Sequence, residues 1–129
     1  MQGGDLGTLK IFVSEGKLYR DTEMFGHMDP FLMFKVNKKE YKTKVLHKAG
    51  KNPQWMEHIE IPVDSWDDEV RMICFDEDFL MNDCIGEATY SVGRICEKVD
   101  EVQTFPLMYK RKKAAEILIT VNITILNPL

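Results

Sequence analysis

Near the end of the chain, apolar residues fall on every second position: Ile117, Ile119, Val121, Ile123 and Ile125. Between them stand Glu116, Thr120, Asn122 and Thr124, with Leu118 the one apolar exception. A β-strand turns successive side chains to opposite faces, so this run folds as a strand with one face on a core and the other in water. A helix would scatter the same isoleucines around its circumference. Strands are also predicted over Thr8–Val13, Phe31–Val36, Tyr41–Leu46, His58–Val63, Glu69–Phe75, Ile85–Val92 and Phe105–Tyr109. Turns are expected at Asn37–Glu40, Ala49–Pro53, Asp64–Asp68 and Lys110–Lys113. The spacing of Ile95, Val99 and Val102 predicts one short helical turn, and Glu15–Met28, which keeps no period, reads as a long loop. Asp29-Pro30 restarts the chain in extended conformation. Eight strands at short spacing and no helix of normal length predict an all-β, eight-stranded antiparallel sandwich.

The totals exclude several classes. At 129 residues, 44% apolar and 29% charged, the chain has the material for one domain with a real core. Residues 1–7 are expected as a flexible leader and 8–129 as the single domain. A net charge of -4 argues against nucleic-acid binding. Cys74, Cys84 and Cys96 are too few for a disulfide framework, which favours a reducing, cytoplasmic location, and Cys74 reads as a small buried hydrophobe. No apolar run reaches the length of a membrane-spanning helix, so any membrane contact is expected to be peripheral.

Function concentrates in Asp76-Glu77-Asp78-Phe79-Leu80-Met81-Asn82-Asp83. Two unit charges about 4 Å apart repel by roughly 4 kcal/mol at an effective dielectric of about 20, so crowded carboxylates imply a cation. Glu23 and Asp29, on the loop before the second strand, are expected to converge with them, because loops of a sandwich cluster at its ends. An all-oxygen set of this size suits calcium; zinc wants His or Cys, and His27, His47 and His58 lack ligand spacing. An EF-hand register fails, since Leu80 falls on a ligand position and Met81 where the turn needs glycine. The apolar Phe79-Leu80-Met81 between the acids calls for a covering surface.

In order along the chain stand Glu23-Met24-Phe25-Gly26-His27-Met28-Asp29-Pro30-Phe31, Lys51-Asn52-Pro53-Gln54-Trp55-Met56-Glu57, Asp76-Glu77-Asp78 with Asp83, and Ile85-Gly86-Glu87. This set resembles the C2 domain, a calcium- and phospholipid-binding β-sandwich, over about Thr8 to Ile125. The resemblance implies the type II strand order, and it implies Glu23, Asp29, Asp76, Asp78 and Asp83 as Ca²⁺ ligands. Glu23 stands where the family usually has aspartate. Met24, Phe25, Phe79, Leu80 and Met81 are then expected to enter lipid, each such side chain being worth roughly 1.5–3 kcal/mol when buried. Lys35, Lys42 and Lys44 resemble the family's basic face for phosphoinositide or other anionic lipid. The expected function is calcium-dependent, reversible binding of anionic phospholipid membranes. The alternative is a calcium-independent module for a protein partner. No nucleophile-base pair or cofactor motif stands in the sequence, so an enzyme is not expected.

Overall fold

The computed structural model describes residues 4–23 and 26–126. Its elements are β1 (Gly7–Leu18), β2 (Pro30–Val36), β3 (Lys39–Lys42), β4 (Gln54–Val63), β5 (Glu69–Asp76), β6 (Asp83–Ser91), α1 (Val92–Ile95), β7 (Val102–Tyr109) and β8 (Lys112–Ile125). All strand pairs are antiparallel, in the order β3-β2-β5-β6-β7-β8-β1-β4. Between β6 and β7 the ladder holds a single residue pair, Glu87 with Met108. There the sheet folds over into two layers of four strands, β3-β2-β5-β6 and β7-β8-β1-β4, and the expected sandwich results.

Inward residues of both layers form one core. Leu9, Ile11 and Val13 of β1, Ile117, Ile119 and Val121 of β8, and Ile59, Ile61 and Val63 of β4 supply one side. Leu32, Phe34 and Val36 of β2 with Val70, Met72 and Cys74 of β5 supply the other. The Cys74 thiol is pushed up by burial, with the Cys84 and Asp76 charges adding to it, as befits a small hydrophobe.

Several boundaries differ from the sequence expectation. β1 continues through Leu18, where a loop was expected from Glu15, because a bulge between Val13 and Glu15 shifts the register by one. After it, even-numbered Gly16 and Leu18 face inward where odd-numbered residues did before, and the simple period is lost. Gly16 packs closely there: a Cβ would stand 3.1 Å from the Trp55 ring and 3.2 Å from Ile117. β3 is shorter than expected and ends at Lys42, although Thr43 and Leu46 still hydrogen-bond β2 through Leu32 and Pro30. The helical turn forms over Val92–Ile95, capped by the Ser91 hydroxyl, which accepts the Arg94 N–H at 3.1 Å. Ile95 is buried, but Val99 and Val102 are exposed, so the three do not share an apolar stripe.

Of the leader expected over 1–7, residues 1–3 lie outside the described residues. Leu6 exchanges hydrogen bonds with Val63 and Leu126, the Asp5 N–H donates to Asp64, and Gly7 already belongs to β1.

Candidate functional site

β1, β3, β5 and β7 all run toward the same end of the sandwich. The connections 19–29, 43–53, 77–82 and 110–111 therefore form one rim. Register does the gathering: Pro30 pairs with Asp76 across β2 and β5, and Asp76 pairs with Asp83 across β5 and β6.

Asp76 ends β5 and is completely buried. Its Oδ1 accepts the Asp29 N–H at 2.8 Å and its Oδ2 accepts the Thr22 hydroxyl at 2.7 Å. Glu23 joins the same group. A hydrogen bond to Asp76 and the charge of that carboxylate push the Glu23 carboxyl up to about 7, with desolvation and the charges of Asp78 and Asp29 adding to it. Asp29 accepts the Lys48 N–H at 2.6 Å on Oδ1, and its carbonyl accepts the Glu77 N–H at 2.9 Å. Asp78 is exposed and turns Oδ1 to the Phe79 N–H at 2.6 Å. Asp83, first residue of β6, is exposed. A recess of about 390 Å³, lined by Glu23, Gly26, His27, Asp29, His47 and Lys48, opens beside the acids.

Among the described residues no three acidic, histidine or cysteine side chains are already arranged to hold a metal ion. Their present bonding explains why. Asp29 and Asp78 each accept a backbone N–H, and Glu23 lies against Asp76 with its carboxyl raised. A fully buried carboxylate facing further acids and no basic side chain of its own is nevertheless a donor set that fits a hard cation.

The apolar tip between these acids is unusually bare, with Phe79 97%, Leu80 89% and Met81 74% exposed. Met24 and Phe25 lie outside the described residues. Lys35 and Lys42 share the outer face of the β3-β2-β5-β6 layer, where Met33 opposes Lys42 and Lys35 opposes Glu40, whereas Lys44 lies beyond the end of β3 and is not brought onto that face by the register. On that face Lys35 pairs with Glu40 at 3.4 Å and Arg71 with Glu87 at 2.8 Å, while the backbone N–H of Lys44 donates to Glu57.

Two further side chains matter that the sequence did not single out. Thr22 supplies a hydroxyl to Asp76, and Arg20 stacks on Tyr109 while donating to the Cys84 carbonyl at 2.8 Å. Neither has a local signal, since their partners are far away in sequence.

Comparison with known proteins agrees with this architecture. The family model described as C2 domain matches residues 7–107. Over 81 residues, 62% of this chain, the sequence is 36% identical to Multiple C2 and transmembrane domain-containing protein 2 of Mus musculus, and the match spans only 9% of that protein's length. A C2 domain of plant Extended Synaptotagmin 1 superposes with a TM-score of 0.79 at 20% identity, covering 95% of this chain and 98% of that one. The calcium-bound pair of C2 domains from Extended-Synaptotagmin 2 gives 0.77 at 18% identity, covering 95% and 47%. With its eight strands in type II order and a family match over most of its length, the chain belongs to the C2 domain family.

Proposed function

We propose that this domain binds calcium at its acidic rim and thereby docks, reversibly, on anionic phospholipid membranes. The observation that carries the reading is the bare Phe79-Leu80-Met81 tip set between Asp76, Asp78 and Asp83. Such a tip is costly in water and has a use where lipid can cover it. Two comparisons lend support: one solved structure of like fold is described as calcium bound, and one relative carries a transmembrane region by its name.

In this reading Asp76 anchors the site from the buried end of β5, and Asp29, Asp78, Asp83 and Glu23 close around the cation. Asp29 and Asp78 exchange single backbone hydrogen bonds for a stronger charge interaction. Glu23 releases its proton. Calcium, when bound, offsets the negative rim and offers coordination to lipid phosphate oxygens. Phe79, Leu80 and Met81, with Met24 and Phe25 on the neighbouring loop, then enter the acyl boundary. Lys35, Lys42 and Lys44 meet anionic head groups from the side. The domain acts as a targeting module without chemistry of its own, working at the cytoplasmic face of a membrane; among the described residues no helix is long and apolar enough to cross one.

The second reading is a calcium-independent contact with a protein partner. It is favoured by the acids' existing hydrogen bonds and the absence of a preformed cage among the described residues. Sedimentation with phosphatidylserine vesicles, with calcium and with chelator, separates the two. Calcium-dependent pelleting supports the membrane reading, and no pelleting in either condition overturns it.

A further inference from the structure

The rim carries a second feature of opposite sign, independent of the acids. Where the β7–β8 hairpin meets the end of β1, a recess of about 430 Å³ is lined by Tyr19, Arg20, Tyr109, Ala114 and the lysines Lys110, Lys112 and Lys113. Its lining contains four cationic side chains and no acidic one. Glu116, not itself in the lining, accepts the Tyr19 hydroxyl and pairs with Lys113 at 3.5 Å. Of these four cations only Lys113 has an acid beside it among the described residues, whereas on the outer face Lys35 and Arg71 are both paired, with Glu40 and Glu87.

The walls are fixed. The Ala114 carbonyl accepts the N–H groups of Tyr19 and Arg20, at 2.8 and 3.1 Å. Arg20 lies flat over the Tyr109 ring, 3.6 Å from its centroid, and one guanidinium nitrogen donates to the Cys84 carbonyl. A guanidinium so held keeps its remaining N–H groups in a set direction, a geometry suited to phosphate oxygens. At the hairpin tip Lys110 and Arg111 both adopt left-handed backbone, with φ of 48° and 67°. Asn-Gly fits that turn without strain, whereas here two long cations occupy it.

We infer that this recess is a head-group site for a phosphomonoester lipid, and that it works without calcium. A phosphomonoester carries more negative charge than a diester and more free oxygens for Arg20 and the lysines to share. The lipid, and not a soluble phosphate, is the occupant because the hairpin lies at the same end as the exposed Phe79-Leu80-Met81 tip. A membrane meeting one meets the other.

The test is sedimentation in chelator with phosphatidylcholine vesicles containing phosphatidic acid, or phosphatidylglycerol at matched total charge. Wild-type protein pellets with the phosphatidic acid vesicles and less with the phosphatidylglycerol ones. K110Q/K112Q, which touches only exposed side chains, lowers partitioning by about fivefold for each charge removed. K10Q/K98Q makes the same change in net charge away from the rim and leaves it unaltered. R20K keeps the charge but not the planar fork, and loses the preference for phosphatidic acid. Four outcomes overturn the inference: no pelleting in chelator, equal pelleting on both vesicles, equal loss in K10Q/K98Q, or displacement by soluble glycerol phosphate at concentrations comparable to the lipid. Because the chelator removes calcium, failure here leaves calcium-dependent docking standing, and failure of that docking leaves this site standing.

Discussion

Both ends of the sandwich crowd aspartates, and the two ends treat them in opposite ways. At the end away from the rim, Asp64 accepts the Asp5 N–H at 2.9 Å and Asn37 at 3.2 Å. Asp68 accepts Asn37 at 2.9 Å, the Asp64 N–H at 2.7 Å and the Ser65 N–H at 3.3 Å. Partial burial works against the Asp68 charge, yet these donors hold its carboxyl below the ordinary aspartate value. At the rim, the hydrogen bond to Asp76 and the charge of that carboxylate push the Glu23 carboxyl the other way. Acids that find N–H donors tie loops together. The rim acids have donors too, but there one carboxylate, Glu23, lies against another, Asp76.

The largest expected difference between the ends is calcium itself. At calcium a hundredfold above its dissociation constant, the domain should gain about 2.7 kcal/mol, or roughly 10 °C in melting temperature. D76N/D78N should abolish the shift and D68A should leave it; a shift retained in D76N/D78N would break the contrast. Next in size is the apolar tip. F79A should weaken calcium-dependent partition onto phosphatidylserine vesicles by about 2 kcal/mol, with the melting temperature unchanged because nothing packs on that side chain. D68A follows, costing about 1–2 kcal/mol in urea unfolding by leaving the Asp64 and Ser65 N–H groups without their acceptor, while Asn37 keeps only its longer bond to Asp64.

The smallest effect is the acid dependence of that same loop. Because the Asp68 carboxyl is depressed in the folded chain, its contribution is complete above the ordinary aspartate pKa of about 3.9. It fades as pH falls through the lower folded value. With the group only partly buried, a few tenths of a kcal/mol should separate wild type from D68N across that window. An equal acid response in both would mean that the far-end donors do not favour the charge.

Much of this is legible in the sequence. The β8 alternation, the core faces of β1, β4 and β5, and the acids around the Phe79-Leu80-Met81 tip are local patterns, each readable from adjacent residues. What escapes depends on partners. The extension of β1 past Glu15 is hidden by a single bulged residue, since one inserted residue inverts every later side chain and a period-2 reading stops there. The expected apolar stripe through Ile95, Val99 and Val102 fails because the chain leaves the helical turn after Ile95. Arg20 draws no notice beside Tyr19, since its ring partner lies on β7.

By itself the sequence determined the class of the fold, the family, and which residue types stand on the loops, because alternation, turn residues and acid clusters are properties of neighbouring positions. Only the tertiary structure decided which acids are already satisfied and which are left open. Register between β2 and β5 brings the Asp29 N–H to Asp76, and Thr22 and Glu23 reach the same carboxylate across about fifty residues of chain. The charge state of a carboxylate depends on the donors and acids within a few ångströms of it. Those neighbours exist only once the strands have paired.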